Sequence, residues 1–176
     1  MSGIGLGVRL IQYHGTRNFE IIEKTEHVAG TWWLNSYPGC GCDVLSHFYS
    51  YSFALNPNWS EKFALQPEIR AYFDEVAAKY DIHSHVHFGH EVLSSSWDAA
   101  AGIWLVEIRD LKTSKVYYHR SKILISAVGA LSIPKKCDLP GAESYQGHMF
   151  HTAEWDHSFD WKGKDVVVVG NGCSAT

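Results

Sequence analysis

No uninterrupted apolar run in this sequence approaches the ~20 residues of a membrane-spanning helix, and its start lacks the basic-then-apolar order of a signal peptide. Nor is there a Lys/Arg cluster. Fifteen basic residues are scattered among nineteen acidic ones, for a net charge of −4, which leaves no electrostatic footprint for nucleic acid. Cysteine is sparse. Cys40, Cys42, Cys137 and Cys173 form no zinc-type pairing and no evident disulfide framework, and Cys40 and Cys42 are too close in sequence to bond each other well. A reduced, cytoplasmic protein is the expectation. Neither a nucleophile elbow nor a Ser/His/Asp arrangement is readable, and there is no low-complexity segment. What the chain does have is 176 residues at 45% hydrophobic content, enough to bury a core and suited to one domain plus part of a second. Seven tryptophans and nine tyrosines suit a large planar ligand and an ordinary core equally.

The richest segment is the last: Lys164-Asp165, four consecutive valines from Val166 to Val169, then Gly170-Asn171-Gly172-Cys173-Ser174-Ala175-Thr176. A continuous apolar run feeding a glycine-rich turn reads as a buried parallel strand leading into a phosphate-binding loop. The opening, Gly3-Ile4-Gly5-Leu6-Gly7, reads as the tail of a similar turn running into a helix over residues 3–14, with Ile4, Val8, Leu10 and Ile11 on one side. Two nucleotide-binding turns thus bracket the chain. Each is expected to be incomplete, the first without its strand and first two glycines, the second without its helix.

Between them, Phe19–Glu23 reads as a short strand ending in a carboxylate, and residues 30–60 as an irregular, aromatic-rich loop region. Ile69, Tyr72, Phe73, Val76, Ala77 and Tyr80 recur at helical spacing over 66–80, with Pro67 in the first turn. Residues 82–93 alternate like a strand, and 103–109, 116–119 and 123–128 follow as further strands, the first two in an antiparallel meander. The connection over 134–164 is mostly irregular. The fold class is therefore α/β: a Rossmann-like parallel sheet holding 19–23, 123–128 and 165–169, with an antiparallel β-meander.

Each candidate site has a plainer reading beside it. Gly170 permits a tight turn and Gly172 lets backbone N–H groups approach a pyrophosphate, with Ala175 in the third glycine's place; the alternative is an ordinary strand-to-helix turn, and the strand before it favours the nucleotide. Glu23 lies about 20 residues beyond Gly3, where a carboxylate accepts hydrogen bonds from an adenosine ribose, although many strand-end glutamates are merely solvated. Asp43, after the Pro38-Gly39 turn, is either a functional carboxylate or a cap for the next turn. The run His83, His85, His87, His90 invites a metal reading, but no Asp/Glu/Cys triad stands at ligand spacing around it, so an exposed or partly packed strand face is preferred.

Tyr145-x-Gly147-xxx-His151-xxx-Trp155-Asp156 is similar to the fingerprint of the flavin-containing, Baeyer–Villiger-type (class B) FAD/NADPH monooxygenases, with Tyr for the usual Phe as the departure. An ordered set supports it: Glu23-Lys24, Gly30-Thr31-Trp32, Tyr37-Pro38-Gly39, Cys42-Asp43-Val44, Tyr49 to Phe53, and Ala127-Val128-Gly129 to Pro134. The chain resembles the N-terminal third of such an enzyme over essentially its whole length.

The resemblance implies FAD and NADPH as cofactors, with a small organic substrate and O2 as partners. In the family NADPH reduces FAD, and a flavin peroxide then delivers one oxygen atom to a carbonyl or heteroatom compound. Residues 1–150 would be a partial FAD-binding domain, and 151–176 a hinge with the start of an NADPH-binding domain. Gly3 would stand at the third glycine of the FAD turn, and Glu23 would hold the ribose. Thr31, Trp32, Trp33 and Leu34 would line the flavin side, with Asp43 and Tyr49 near the isoalloxazine and Asp43 the catalytic carboxylate. Val86 would give adenine a backbone contact. Gly170, Asn171, Gly172, Cys173, Ser174, Ala175 and Thr176 would open the NADPH pyrophosphate site, and Gly147, His151 and Trp155 would belong to the hinge. Gly41 departs from the family's frequent arginine. Two alternatives stand beside this reading, an N-hydroxylating or sulfide/amine-oxidising relative and a non-catalytic remnant serving as an interaction module. With both turns incomplete, the chain alone is expected to hold FAD weakly or not at all and not to turn over.

Overall fold

The computed structural model describes residues 1–131 and 133–175. The chain divides into two compact units, one of residues 1–30 and 72–129, the other of 31–71 and 130–175 among those described.

The first unit opens with helix α1, Ser2–His14, whose Ile4 and Val8 are buried as the apolar spacing predicts. It stops at Gly15, which takes a left-handed conformation (φ 60°) and returns its N–H to Ile11 O at 3.1 Å. Strand β1, Ile21–Ile22, pairs in parallel with β2, Val86–His87, Ile21 opposite Val86. The meander follows: β3 (His90–Asp98), β4 (Ile103–Asp110) and β5 (Val116–Ser121), antiparallel in the order β3-β4-β5, with a register shift between Val92 and Ser94. Val106 and Ile108, on one face of β4, are buried. Ile82 is buried here too, and helix α3 contributes Phe73, Val76 and Ala77. That helix runs from Gln66 to Lys79, close to the expected 66–80, with Glu68 in its first turn and Lys79 in its last, as the helix dipole favours.

The second unit is mostly irregular, as the Gly, Pro, Asn and Ser of 30–60 and Pro134 and Pro140 in the later connection predict. Helix α2, Thr31–Leu34, is a single turn. Trp32, Cys40, Cys42, Trp59, Ala64 and Ile69 are buried, together with Ser46, whose hydroxyl accepts from Ala64 N at 2.8 Å.

The parallel-plus-antiparallel architecture is present, but two of the expected strands are not. Neither 123–128 nor 165–169 forms a strand. A parallel strand needs neighbours along its edges, and no other strand runs beside these segments among the described residues. Val166 to Val169 accordingly stay between 59% and 86% exposed. The strand expected over 82–93 is broken as well. His83–His85 form a 3-10 turn and Gly89 takes φ 68°, so the alternate histidines do not share a strand face. Among the described residues no group of three His, Cys, Asp or Glu is arranged to hold a metal ion, and no helix is long and apolar enough to cross a membrane.

Candidate functional site

In the first unit, Gly3 sits in the opening turn of α1, and a Cβ there would meet Ile21 Cγ2 at an ordinary 3.5 Å. Gly7 is the more constrained. A Cβ on it would lie 3.1 Å from both the Phe19 ring and Ile82 Cδ1, so its lack of a side chain lets α1 close on the strand segment. Sequence reasoning missed it, although the Gly3-xxx-Gly7 spacing on an apolar helix face is a usable signal. Gly7→Val should cost about 1–3 kcal/mol of stability through overpacking, read as a lower urea midpoint with an unchanged slope.

Glu23 follows β1 directly. Its N–H donates to His87 O at 3.0 Å, which fixes the backbone, while its Oε1 accepts from both Thr25 N and Thr25 Oγ1 at 2.8 Å. A carboxylate oriented in this way suits a ribose hydroxyl pair, and it also interacts electrostatically with the Met1 N-terminus. The residues fit the ribose of FAD on this count. Val86 is half-buried on β2, which pairs only with β1 among the described residues.

In the second unit, α2 is held by its side chains. Trp32 Nε1 donates to Tyr49 Oη at 2.9 Å with the two rings edge to face, Gln66 Nε2 donates to Trp32 O, and Asn35 Nδ2 donates to Thr31 O at 2.9 Å. The Arg70 guanidinium lies 4.2 Å over the Trp33 ring, while Leu34 is half-buried. Burial, chiefly, pushes the Tyr49 phenol above its ordinary pKa, with the charges at Cys42 and Asp43 adding to it and the Trp32 bond opposing. Trp32 and Tyr49 thus support each other, and the polar atoms they share are already satisfied.

Asp43 is exposed, but the backbone around it is pinned. Cys42 N donates to Ala64 O at 2.9 Å and Val44 N to Cys42 Sγ at 3.4 Å. The Asp43 carboxylate lines an open cavity of about 290 Å³ with Tyr37, Gly41, Cys42, Phe63 and Cys173. Across it, Cys173 Sγ donates to Asp43 Oδ2 at 3.2 Å and Tyr37 Oη to Ser174 Oγ at 2.9 Å. The segment expected beside the flavin and the turn expected to take NADPH therefore meet within one unit. In that turn Gly170 has φ 136°, which side-chain-bearing residues rarely adopt, Asn171 and Gly172 are exposed, and Ala175 N closes on Gly172 O at 2.8 Å. Thr176, assigned to the same site from the sequence, lies outside the described residues.

The fingerprint segment folds on itself. Gly147 lies under the Tyr145 phenol, with which any Cβ there would collide. His151 Nδ1 accepts from Ala153 N at 3.0 Å, and Trp155 meets Phe150 edge to face at 5.0 Å. Asp156 gathers the segment, accepting from Ser158 N at 2.9 Å, Ser158 Oγ at 2.6 Å and His148 Nε2 at 2.9 Å. The Ser158 hydroxyl, then its N–H and His148, hold the Asp156 carboxyl below its ordinary pKa. A depressed carboxylate stabilises the fold above its unfolded pKa and loses that contribution as pH falls through the folded value. The Ser158 amide resonance should hence stay in place at neutral pH and move toward its random-coil position only once the pH falls below the ordinary carboxylate range. Asp156→Asn should abolish that transition.

None of the four cysteines is in a disulfide. The model of the flavin-binding monooxygenase-like family matches residues 40–176. The chain is 42% identical over 174 residues to a Baeyer–Villiger monooxygenase of Pseudomonas aeruginosa, covering 99% of this chain and 32% of that protein. It is also 42% identical over 175 residues to one of Streptomyces coelicolor, again 99% and 32%. Among solved structures, an ε-caprolactone-bound cyclohexanone monooxygenase superposes with a TM-score of 0.84 at 32% identity, covering 98% of this chain and 33% of that one. OTEMO in complex with FAD and NADP superposes with a TM-score of 0.78 at 30% identity, 98% and 34%. The chain spans about a third of the length of the relatives it matches. By sequence and by fold it belongs to the flavin-binding monooxygenase-like family.

Proposed function

We propose that this chain supplies the FAD-side third of a cytoplasmic, NADPH-using monooxygenase that places one oxygen atom from O2 into a small carbonyl or heteroatom compound, with no nucleic-acid partner. The observation that carries this reading is the cavity where Asp43 and Cys173 meet at 3.2 Å, because it joins the two segments that the family uses for its two cofactors.

When bound, FAD would supply the electron transfer from NADPH and the activation of O2. The chain's own residues bind and orient. Glu23, aimed by Thr25, would accept hydrogen bonds from the FAD ribose, with Gly3 at the diphosphate turn and Val86 at adenine. Thr31, Trp32, Trp33 and Leu34 would form the flavin side, kept in place by Tyr49, Gln66 and Arg70. Asp43 would present a fixed negative charge that orients a charged partner, with Phe63 and Leu65 as apolar lining of the same cavity. Gly170 to Ala175, together with Thr176, would offer backbone N–H groups to NADPH, and Gly147, His151 and Trp155 would couple the two nucleotide-binding regions. Residues 1–150 and 151–176 would thus divide between the FAD side and the start of the NADPH side.

The test is a chimera in which this chain replaces the equivalent third of the Pseudomonas aeruginosa relative. A flavin-loaded chimera that consumes NADPH and O2 and converts a cyclic ketone to its lactone supports the proposal. Oxidation of amines or sulfides with no action on ketones would favour the heteroatom-oxidising relative. A folded chimera without flavin would overturn the proposal.

A further inference from the structure

We infer that Cys173 is a positioning residue for Asp43: its thiol, presented by the Gly170–Ala175 turn, fixes one oxygen of the carboxylate and ties the direction of that charge to the seating of the turn. The inference rests on the reading of Asp43 as the functional carboxylate and adds to it the group that aims it.

Three observations carry it. First, the backbone on both sides of Asp43 is already fixed, through Cys42 N on Ala64 O and Val44 N on Cys42 Sγ, so the side-chain torsions are its remaining freedom. Second, the Cys173 thiol, at 3.2 Å from Oδ2, makes the one side-chain hydrogen bond that Asp43 has among the described residues. Third, the turn that carries Cys173 is fastened by an independent neighbour, Tyr37 Oη donating to Ser174 Oγ at 2.9 Å. Two adjacent residues of the turn thus bind two residues of the Tyr37–Asp43 segment. A shift of the turn moves the thiol and releases the carboxylate.

The chemistry fits donation and not nucleophilic work. A thiolate beside a carboxylate is electrostatically disfavoured, and the hydrogen bond to Asp43, followed by its charge, holds the Cys173 thiol above its ordinary pKa. The group therefore stays protonated near neutral pH, which is the state able to donate.

The experiment uses this chain, without cofactors, in a Cys137→Ser background that removes the other exposed thiol. Alkylation of Cys173 by iodoacetamide is followed peptide by peptide across a pH series. Asp43→Asn should speed alkylation at about pH 8 by roughly 3- to 30-fold and move the midpoint of the profile down, as removal of a neighbouring charge does. Buried Cys40 and Cys42 should not respond. Tyr37→Phe, which unfastens the turn, should move the Cys173 profile in the same direction by a smaller amount. In parallel, the side-chain χ1 couplings of Asp43 are read by NMR at neutral pH. Cys173→Ser, which keeps a donor, should leave those couplings near the parent's, whereas Cys173→Ala should average them over rotamers. Identical alkylation profiles with and without the Asp43 charge, or identical couplings for the Ser and Ala variants, would overturn the inference. Neither readout involves FAD or NADPH. A failed contact therefore leaves the monooxygenase proposal standing, and an inactive chimera leaves the contact standing.

Discussion

Phe73→Ala should be the most damaging single truncation in the core, lowering unfolding free energy by about 3–5 kcal/mol. Phe73 is 1% exposed and has the largest fully buried side chain among the described residues, and its ring meets Tyr72 edge to face at 5.1 Å. Within the first unit it shares the buried stripe of α3 with Val76 and Ala77, both 4% exposed or less. Removing the ring forfeits both its transfer from water and the contacts of its neighbours, which relax only partly around the void. Against a total stability of about 5–15 kcal/mol for a domain, that loss leaves little margin. Urea unfolding followed by circular dichroism should show the midpoint fall with the slope unchanged. Phe73→Leu, which keeps most of the volume, should cost under about 1.5 kcal/mol. Leu55→Ala, at a side chain 71% exposed, should stay within about 0.5 kcal/mol. A Phe73→Ala effect no larger than that of Leu55→Ala would show that the core is not centred on this stripe.

How much of this was legible depends on whether the information is local. The two long helices were readable because their apolar residues recur at helical spacing and their ends carry local signals, Gly15 after α1 and Pro67 in α3. The meander was readable for the same reason at a period of two. Continuous apolar runs were less reliable guides. Val166 to Val169 report that the segment suits burial between neighbours, and they say nothing of which neighbour, so the segment stands exposed where no strand pairs with it among the described residues. The histidine run misled because alternation at 82–88 continues across a 3-10 turn, while Gly89, the residue that re-aims the chain, looks like any other glycine until its φ of 68° is known. At the site, Asp43 could be singled out from the Pro38-Gly39 turn before it. Its partner could not, because Cys173 lies 130 residues away and nothing in the local pattern of either segment announces the other.

The largest functional effect is expected from Asp43→Ala in the flavin-loaded chimera, where NADPH-driven flavin reduction or the oxygenation that follows should slow by ~10- to 1000-fold, the scale of losing a preorganised electrostatic group. Flavin content should stay near the parent's, because the groups proposed to hold the ribose and the diphosphate lie at Glu23 and Gly3. The carboxylate is exposed at the cavity, its neighbouring backbone is pinned and it accepts one thiol hydrogen bond, so truncation removes a directed charge without opening a core void. Glu23→Ala should show the opposite pattern. Losing a carboxylate that hydrogen-bonds a ribose costs about 1.5–3 kcal/mol, which weakens FAD binding by roughly 10- to 100-fold while the protein that still carries flavin reacts at close to the parent rate. The two are separated by titrating FAD into each apo-variant and measuring flavin reduction by stopped flow, normalised to bound flavin. Asp43→Asn, which keeps the shape and removes the charge, should behave as Asp43→Ala does if charge is the operative property. If Asp43→Ala instead sheds its flavin and shows the parent rate per flavin retained, Asp43 belongs to cofactor binding and its placement at the chemistry is wrong.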